Sequence, residues 1–200
     1  MGVDEREPGR RTTTAVLEDH YAAPVGLNKR VRKRFESRIS GGEEIDAVVA
    51  LQRDLEGVRP GGFGGGGVHG AYMTATGITD SLASEAPMDQ QWCVLTKSRL
   101  LLFRKKASAL SLLATKGPLE HELDRAGLHL RWGDYRGGSA KLRIRMMHFA
   151  LADGRSTVQN TVLGSALRKS NYFDEADALV AALGDHAEEI DVAPYGHAPL

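Results

Sequence analysis

QWCVLTKSRLLLFRKK, residues 91–106, carries two apolar arms around a polar turn. Trp92, Cys93, Val94 and Leu95 form the first arm. Leu100, Leu101, Leu102 and Phe103 form the second, and Thr96, Lys97, Ser98 and Arg99 lie between them, which is the composition of a β-hairpin. A β core therefore sits near the middle of the chain. Further strands follow. LEHEL (119–123) alternates with period two, and Leu128, Leu130 and Trp132 do the same ahead of GDYRGG (133–138), which reads as a turn. In the next strand Leu142, Ile144 and Met146 oppose Lys141, Arg143 and Arg145; the phase then slips to Met147, Phe149 and Leu151, so a β-bulge is expected near Met146. After a turn at ADGR (152–155), residues 157–162 make a last strand.

Helices flank these strands. Leu27, Val31, Phe35 and Ile39 recur every fourth residue among Lys29, Arg30, Arg32, Lys33, Arg34 and Arg38, the pattern of a basic amphipathic helix. Gly41 and Gly42 stop it, and IDAVVAL (45–51) reads as a first strand. Phe173, Ala176, Val180 and Leu183 return to helical spacing, with Asn171 as N-cap, acids in the first turns and Gly184 as C-cap. Residues 1–24 show no durable period and are expected to be disordered. Residues 59–89 read as a long loop or insertion, because six of the seven residues 61–67 are glycine and no Lys or Arg occurs between Arg59 and Lys97. The tail 185–200, with Pro194 and Pro199, is expected to be loose.

Two hundred residues with 42% apolar content suit one domain with extra terminal segments. Lys plus Arg (26) equals Asp plus Glu (26), so no global field pulls the molecule onto nucleic acid or anionic lipid. The single cysteine, Cys93, has no partner for an intramolecular disulfide, which points to a reducing, cytoplasmic compartment and a packed, inert thiol. The charged N-terminus has no apolar run of a signal peptide, and no window reaches the roughly 18 apolar residues of a spanning helix.

Catalytic motifs are weak. Residues 62–67 satisfy G-x-G-x-x-G, but six glycines in seven match such a pattern by composition alone, and Pro60 precedes them in place of a strand. Glu120, His121 and Glu122 cluster, yet neighbouring strand residues point to opposite faces, so a solvated face is expected there and no metal site. Gly137-Gly138-Ser139-Ala140 lacks the closing glycine of a nucleophile elbow. No carboxylate stands in an apolar run that would raise its pKa. Neither an enzyme nor a cofactor is expected. Residues 28–38 hold six basic side chains and one acid, a net +5 beside an apolar stripe, which suits a helix that lies on an anionic surface or a partner. Arg131, Arg143 and Arg145 read as surface charge on the sheet.

Several antiparallel strands closed by one C-terminal amphipathic helix give a mainly β, α+β chain arranged as a small capped barrel. Trp92, Val94, Leu101, Phe103, Leu130, Trp132, Leu142 and Ile144 are its expected core. The order of elements and the phrase VLTKSRLLLFR, which resembles a V-x-T-x-x-R-L hairpin, make the chain similar to bacterial pleckstrin-homology-like or GRAM-like domains. LNKRVRKRFESRISGGEE resembles the basic helix and turn that lead into their first strand. That resemblance covers residues 27–184, within a single domain expected over residues 25–184 that includes the Gly-rich loop (60–70). It implies a non-enzymatic module that binds a protein partner, itself or a membrane surface, with nucleic-acid or anionic-surface binding through the basic helix as the alternative and a glycine-loop enzyme third. The candidate binding residues are Lys29, Arg30, Arg32, Lys33, Arg34, Arg38, Lys97 and Arg99. The family's phosphoinositide sites need basic residues between the first two strands, where this chain has glycine.

Overall fold

The computed structural model describes residues 27–39, 41–52, 68–82, 90–105, 117–136, 142–165 and 173–195. The N-terminal 24 residues, the glycine run 61–67 and residues 196–200 lie outside them. Its strands are β1 (Ile45–Gln52), β2 (Gln90–Thr96), β3 (Arg99–Arg104), β4 (Leu119–Asp124), β5 (Leu128–Arg136), β6 (Leu142–Leu151), β7 (Ser156–Ser165) and β8 (Ala187–Glu189). The helices are α1 (Leu27–Glu36), α2 (Val68–Thr76) and α3 (Phe173–Leu183). The strands form one sheet in the order β4-β3-β2-β1-β7-β6-β5-β8. All described pairings are antiparallel except β5 with β8, which is parallel, so the sheet is mixed and, among the described residues, open at β4 and β8. The expectation of a wholly antiparallel closed barrel is corrected on both points.

The central hairpin forms with Trp92 opposite Phe103 and Leu95 opposite Leu100. Its turn is tied by Thr96, whose Oγ1 accepts from the Arg99 N–H at 3.0 Å and donates to the Arg99 carbonyl at 3.1 Å. Both arms are continuous apolar runs because both faces of the hairpin are covered. Cys93, Leu95, Leu100 and Leu102 face the main core, together with Leu51, Leu130 and Phe149, beneath Ala176, Leu179 and Leu183 of α3. Trp92, Val94, Leu101 and Phe103 face the opposite way, under Val31 and Phe35 of α1 and Ile39 beyond its end. The Phe35 ring stands 5.0 Å from that of Phe103 and 6.0 Å from that of Trp92. Those four hairpin residues are buried as expected, but in the α1 layer instead of the main core. Cys93 is a fully buried free thiol, and burial pushes its pKa up.

The same two-sided burial corrects the bulge expected at Met146. The β5–β6 register runs unbroken from Leu128 opposite Leu151 to Arg136 opposite Arg143. Ile144 and Met146 join a third cluster with Val68 and Tyr72 of α2, while Met147 and Phe149 belong to the main core. The slip in hydrophobic phase records two covered faces. The one irregularity in β6 lies between Arg143 and Ile144, against β7.

Three segments read as a loop, a turn or a loose tail are ordered by tertiary burial. VHGAYMTAT forms α2 because Val68 and Tyr72, one turn apart, both bury themselves on the sheet. GDYR extends β5 where a turn was expected, and the tail from residue 185, expected to be loose, forms β8 and buries Val192 within its described residues 185–195. Gly184 does end α3, with φ +54°. Gly133 serves close approach: a Cβ there stands 2.6 Å from the Ile190 carbonyl oxygen and 2.6 Å from Val192 Cγ1. Gly133→Ala should therefore cost about 2 kcal/mol and loosen the C-terminal segment. Hydrogen exchange should show protection lost first at residues 187–192, ahead of the β2–β3 hairpin.

Candidate functional site

Helix α1 is held from below by its apolar stripe, and its first flank is tied to β1. Among the described residues, strand β1 pairs with β7 only at Gln52 opposite Asn160, and most of that edge has no strand partner. Side chains take the strand's place. Arg32 donates from Nη1 to the Ile45 carbonyl at 2.6 Å and from Nη2 to the Asp46 carbonyl at 3.0 Å. Glu175 of α3, 5% exposed, accepts from the Val48 N–H at 3.0 Å, and its Oε2 lies 3.6 Å from Arg32 Nη2. Arg32 is thus a bracket between α1, β1 and α3.

Lys97 and Arg99, at the hairpin turn, are also answered by carboxylates. Lys97 Nζ sits 2.8 Å from Asp46, and Arg99 contacts Glu122 at 2.6 Å and Glu43 at 3.1 Å. Arg125 closes the same corner, 2.5 Å from Asp46, donating to the Thr96 carbonyl at 2.7 Å and to the Ala182 carbonyl in the last turn of α3. Burial acts to raise the Asp46 pKa, but the hydrogen bonds and charges of Lys97 and Arg125 outweigh it and hold the carboxyl below its ordinary value. A hydrogen bond from Thr96, aided by Ser98 and Arg99, lowers Glu43. These cations are neutralised within the fold.

The outward face of α1 differs. Lys33 and Arg34 are exposed on it, and no described carboxylate pairs with Lys33. Lys29 and Arg30 occupy the first turn, and their side chains lie outside the described residues. Arg38, just past the helix, lays its guanidinium 4.4 Å from the centroid of the Phe103 ring and donates to the Gly117 carbonyl at 2.6 Å. Lys105 stands over Trp92 at 5.3 Å, and partial burial lowers its pKa. Trp92 and Phe103 are cross-strand neighbours, so the two cations flank one aromatic pair. Of the candidate residues, α1 keeps Lys33 and Arg34 outward, while Arg32, Lys97 and Arg99 belong to the framework.

On the far half of the sheet, Arg145 is buried, which corrects its reading as surface charge. Burial opposes its charge, but Asp134 at 2.7 Å and Asp177 at 2.6 Å raise its pKa, and it stacks 4.2 Å from the Trp132 centroid. Arg131 pairs with Glu188 at 3.0 Å. That pair borders an open cleft of about 740 Å³ lined by residues 129–131 of β5, Ala150 of β6 and residues 184–188, where the His129 and His186 rings stand 5.1 Å apart. Deeper in, Tyr72 hydrogen-bonds His148 Nδ1 at 3.0 Å. Burial, with a smaller push from Arg131, lowers the His148 pKa to about 4 against a weaker pull from Asp80. Sequence patterns missed Glu175, Arg125 and His148, because each acquires its role from a residue 76 or more positions away. Among the described residues, no group of three or more His, Cys, Asp or Glu is arranged to hold a metal ion, and no helix is long and apolar enough to cross a membrane.

No family model and no curated protein matches this chain. Among solved structures, it is similar to the hSac2 domain from human phosphoinositide phosphatase Sac2, at 9% identity and a TM-score of 0.41, covering 82% of this chain and 88% of that one.

The buried imidazole generates a pH prediction. A histidine whose folded pKa lies below its unfolded value binds its proton more readily when unfolded, so its contribution is complete above about pH 6.5. It is lost as pH falls toward about 4, the folded value. Denaturant midpoints measured from pH 7 to pH 4 should fall in the wild type, and His148→Gln should flatten that fall.

Proposed function

We propose that this chain is a non-enzymatic interaction module of pleckstrin-homology-like architecture, and that the outward face of α1 grips an acidic protein surface. The observation that carries this reading is the division of the cations. Those on the inner flank of α1, at the hairpin turn and under α3 are matched by carboxylates, whereas Lys33, exposed on a helix fixed from below, meets no carboxylate among the described residues. A helix held by Val31, Phe35 and Arg32 presents its charges without rearranging, which reduces the ordering cost of association.

The architecture is supported by seven successive strands from β4 to β5, each antiparallel to the next, and by a C-terminal helix packed over the main core. The non-enzymatic reading is supported by the state of the two most reactive groups. The Cys93 thiol is sealed in the core with a raised pKa, and the His148 imidazole is buried and neutral at pH 7.

Replacing Arg30, Lys33 and Arg34 with glutamate tests the reading. Lys33 and Arg34 lie off the apolar stripe, so the cost to stability should stay below about 1 kcal/mol per site. At about 50 mM salt, where charges are weakly screened, the wild type should bind immobilised polyglutamate, and the variant should bind at least about tenfold more weakly, a change of 1.4 kcal/mol or more. A wild type that ignores polyglutamate but sediments with phosphatidylserine vesicles, or shifts duplex DNA, would put lipid or nucleic acid in the partner's place. Indifference to all three would end the α1 proposal.

A further inference from the structure

The cleft beside β8 brings two histidines together from distant parts of the chain. Leu130 of β5 pairs in parallel with Ala187 of β8, so His129 and His186, each one position earlier, stand side by side at the start of that pairing. Their ring centroids are 5.1 Å apart, and both residues are exposed. Small neighbours leave the space around them: Ala150 lies opposite His129 on β6, and Gly184 opens the single 3-10 turn that ends at His186. Arg131, Asp185 and Glu188 supply the other charges of the lining. Arg131 is paired with Glu188 at 3.0 Å, so apart from the imidazoles the cleft carries one cation and two carboxylates, a net −1. Such a wall draws in a cation.

The ring separation fits one metal ion shared by both imidazoles. With a Zn–N bond of about 2.0–2.1 Å each ring centroid stands about 3.2 Å from the metal, and two such rings at a tetrahedral angle have centroids about 5.2 Å apart. The observed 5.1 Å matches that spacing. Because both residues are exposed, each ring can turn about its side-chain torsions to aim a nitrogen at the shared point without moving the backbone. That backbone is fixed on both sides. Leu128 and Leu130, flanking His129, are buried in the main core; the Ala187 N–H donates to the Gly184 carbonyl, and the Ile190 N–H to the Trp132 carbonyl at 2.8 Å.

We infer that this cleft binds a late first-row divalent metal ion, zinc in the first place, through His129 and His186. Imidazole nitrogen suits zinc, copper and nickel, whereas magnesium and calcium take oxygen ligands. Among the described residues no group of three His, Cys, Asp or Glu is arranged to hold a metal, so the two histidines bind with water in the remaining positions. With two protein ligands in place of the four of a structural zinc site, the dissociation constant is on the order of 10 μM. The ligands come from separate segments, and the bound ion therefore clamps the C-terminal segment to β5.

Titration calorimetry of the full chain with zinc chloride, in neutral buffer free of chelators, tests the inference with two single variants. His129→Asn and His186→Asn change exposed side chains, so each should keep the wild-type far-UV circular dichroism, and each should weaken zinc binding at least about thirtyfold. Excess magnesium chloride should not displace the zinc. Hydrogen exchange supplies a second readout. At zinc about a hundred times its dissociation constant, opening of residues 187–192 should slow about a hundredfold in the wild type and stay unchanged in both variants. A wild type that takes up no zinc at about 1 mM, far above the dissociation constant inferred here, would overturn the site. So would a folded variant that binds as tightly as the wild type, since the ligands would then lie elsewhere, or displacement by magnesium, which would assign the binding to carboxylates. Uptake of zinc without slower exchange at 187–192 would show that the ion does not join the two segments, and would overturn it as well.

Discussion

The unpaired edge of β1 is the constraint that orders the rest of this structure. A sheet strand cannot leave its N–H and C=O groups buried without partners, since each orphan costs on the order of 1–3 kcal/mol. Here the strand that follows in sheet order, β7, reaches β1 at a single residue pair. Arg32 and Glu175 supply what is missing, one from each covering helix, and their guanidinium and carboxylate lie side by side. The opening between β1 and β7 gives α3 access to the main core. The bracket across it locks α1 and α3 to the same strand.

Coverage of both faces follows from that geometry. With α3 over the main core, the opposite face of β1, β2 and β3 still carries Val48, Trp92, Val94, Leu101 and Phe103, and α1 covers it. The far half of the sheet repeats the solution with different parts: α2 and the C-terminal segment cover Tyr135, Ile144, Met146 and Val158. Burial at about 25 cal/mol per Å² of apolar surface makes each of these layers worth keeping. Charges are then distributed by what lies beneath them. Arginines near β1 and under α3 become structural ties, and cationic character collects on the outward face of α1.

Much of the local structure was legible from pattern. The hairpin at residues 91–106, the first strand, the basic helix and the C-terminal helix with its Gly184 stop all form near the expected positions. These are elements whose identity rests on contacts between near neighbours: a two-residue turn, an i, i+4 stripe, a glycine at positive φ. Lys33 and Arg34 were legible as outward charges for the same reason. Arg32, Lys97 and Arg99 have the same residue types and similar settings in sequence, and nothing local distinguishes a cation that will meet Asp46 or Glu175 from one that will meet solvent.

A β-rich chain, the hairpin at its centre and the basic amphipathic helix follow from local sequence alone, because period and turn chemistry act over a few residues. Which side of each strand became the main core was settled by long-range packing. The four residues from Leu100 to Phe103 are apolar throughout, so alternation carries no information about which helix covers which face. It also decided that VHGAYMTAT is helical and that the tail pairs with β5, since the stabilisation comes from sites such as Val158 and Gly133 that are distant in sequence. Burial on a distant surface overrides weak local preference, and that surface exists only once the sheet has formed.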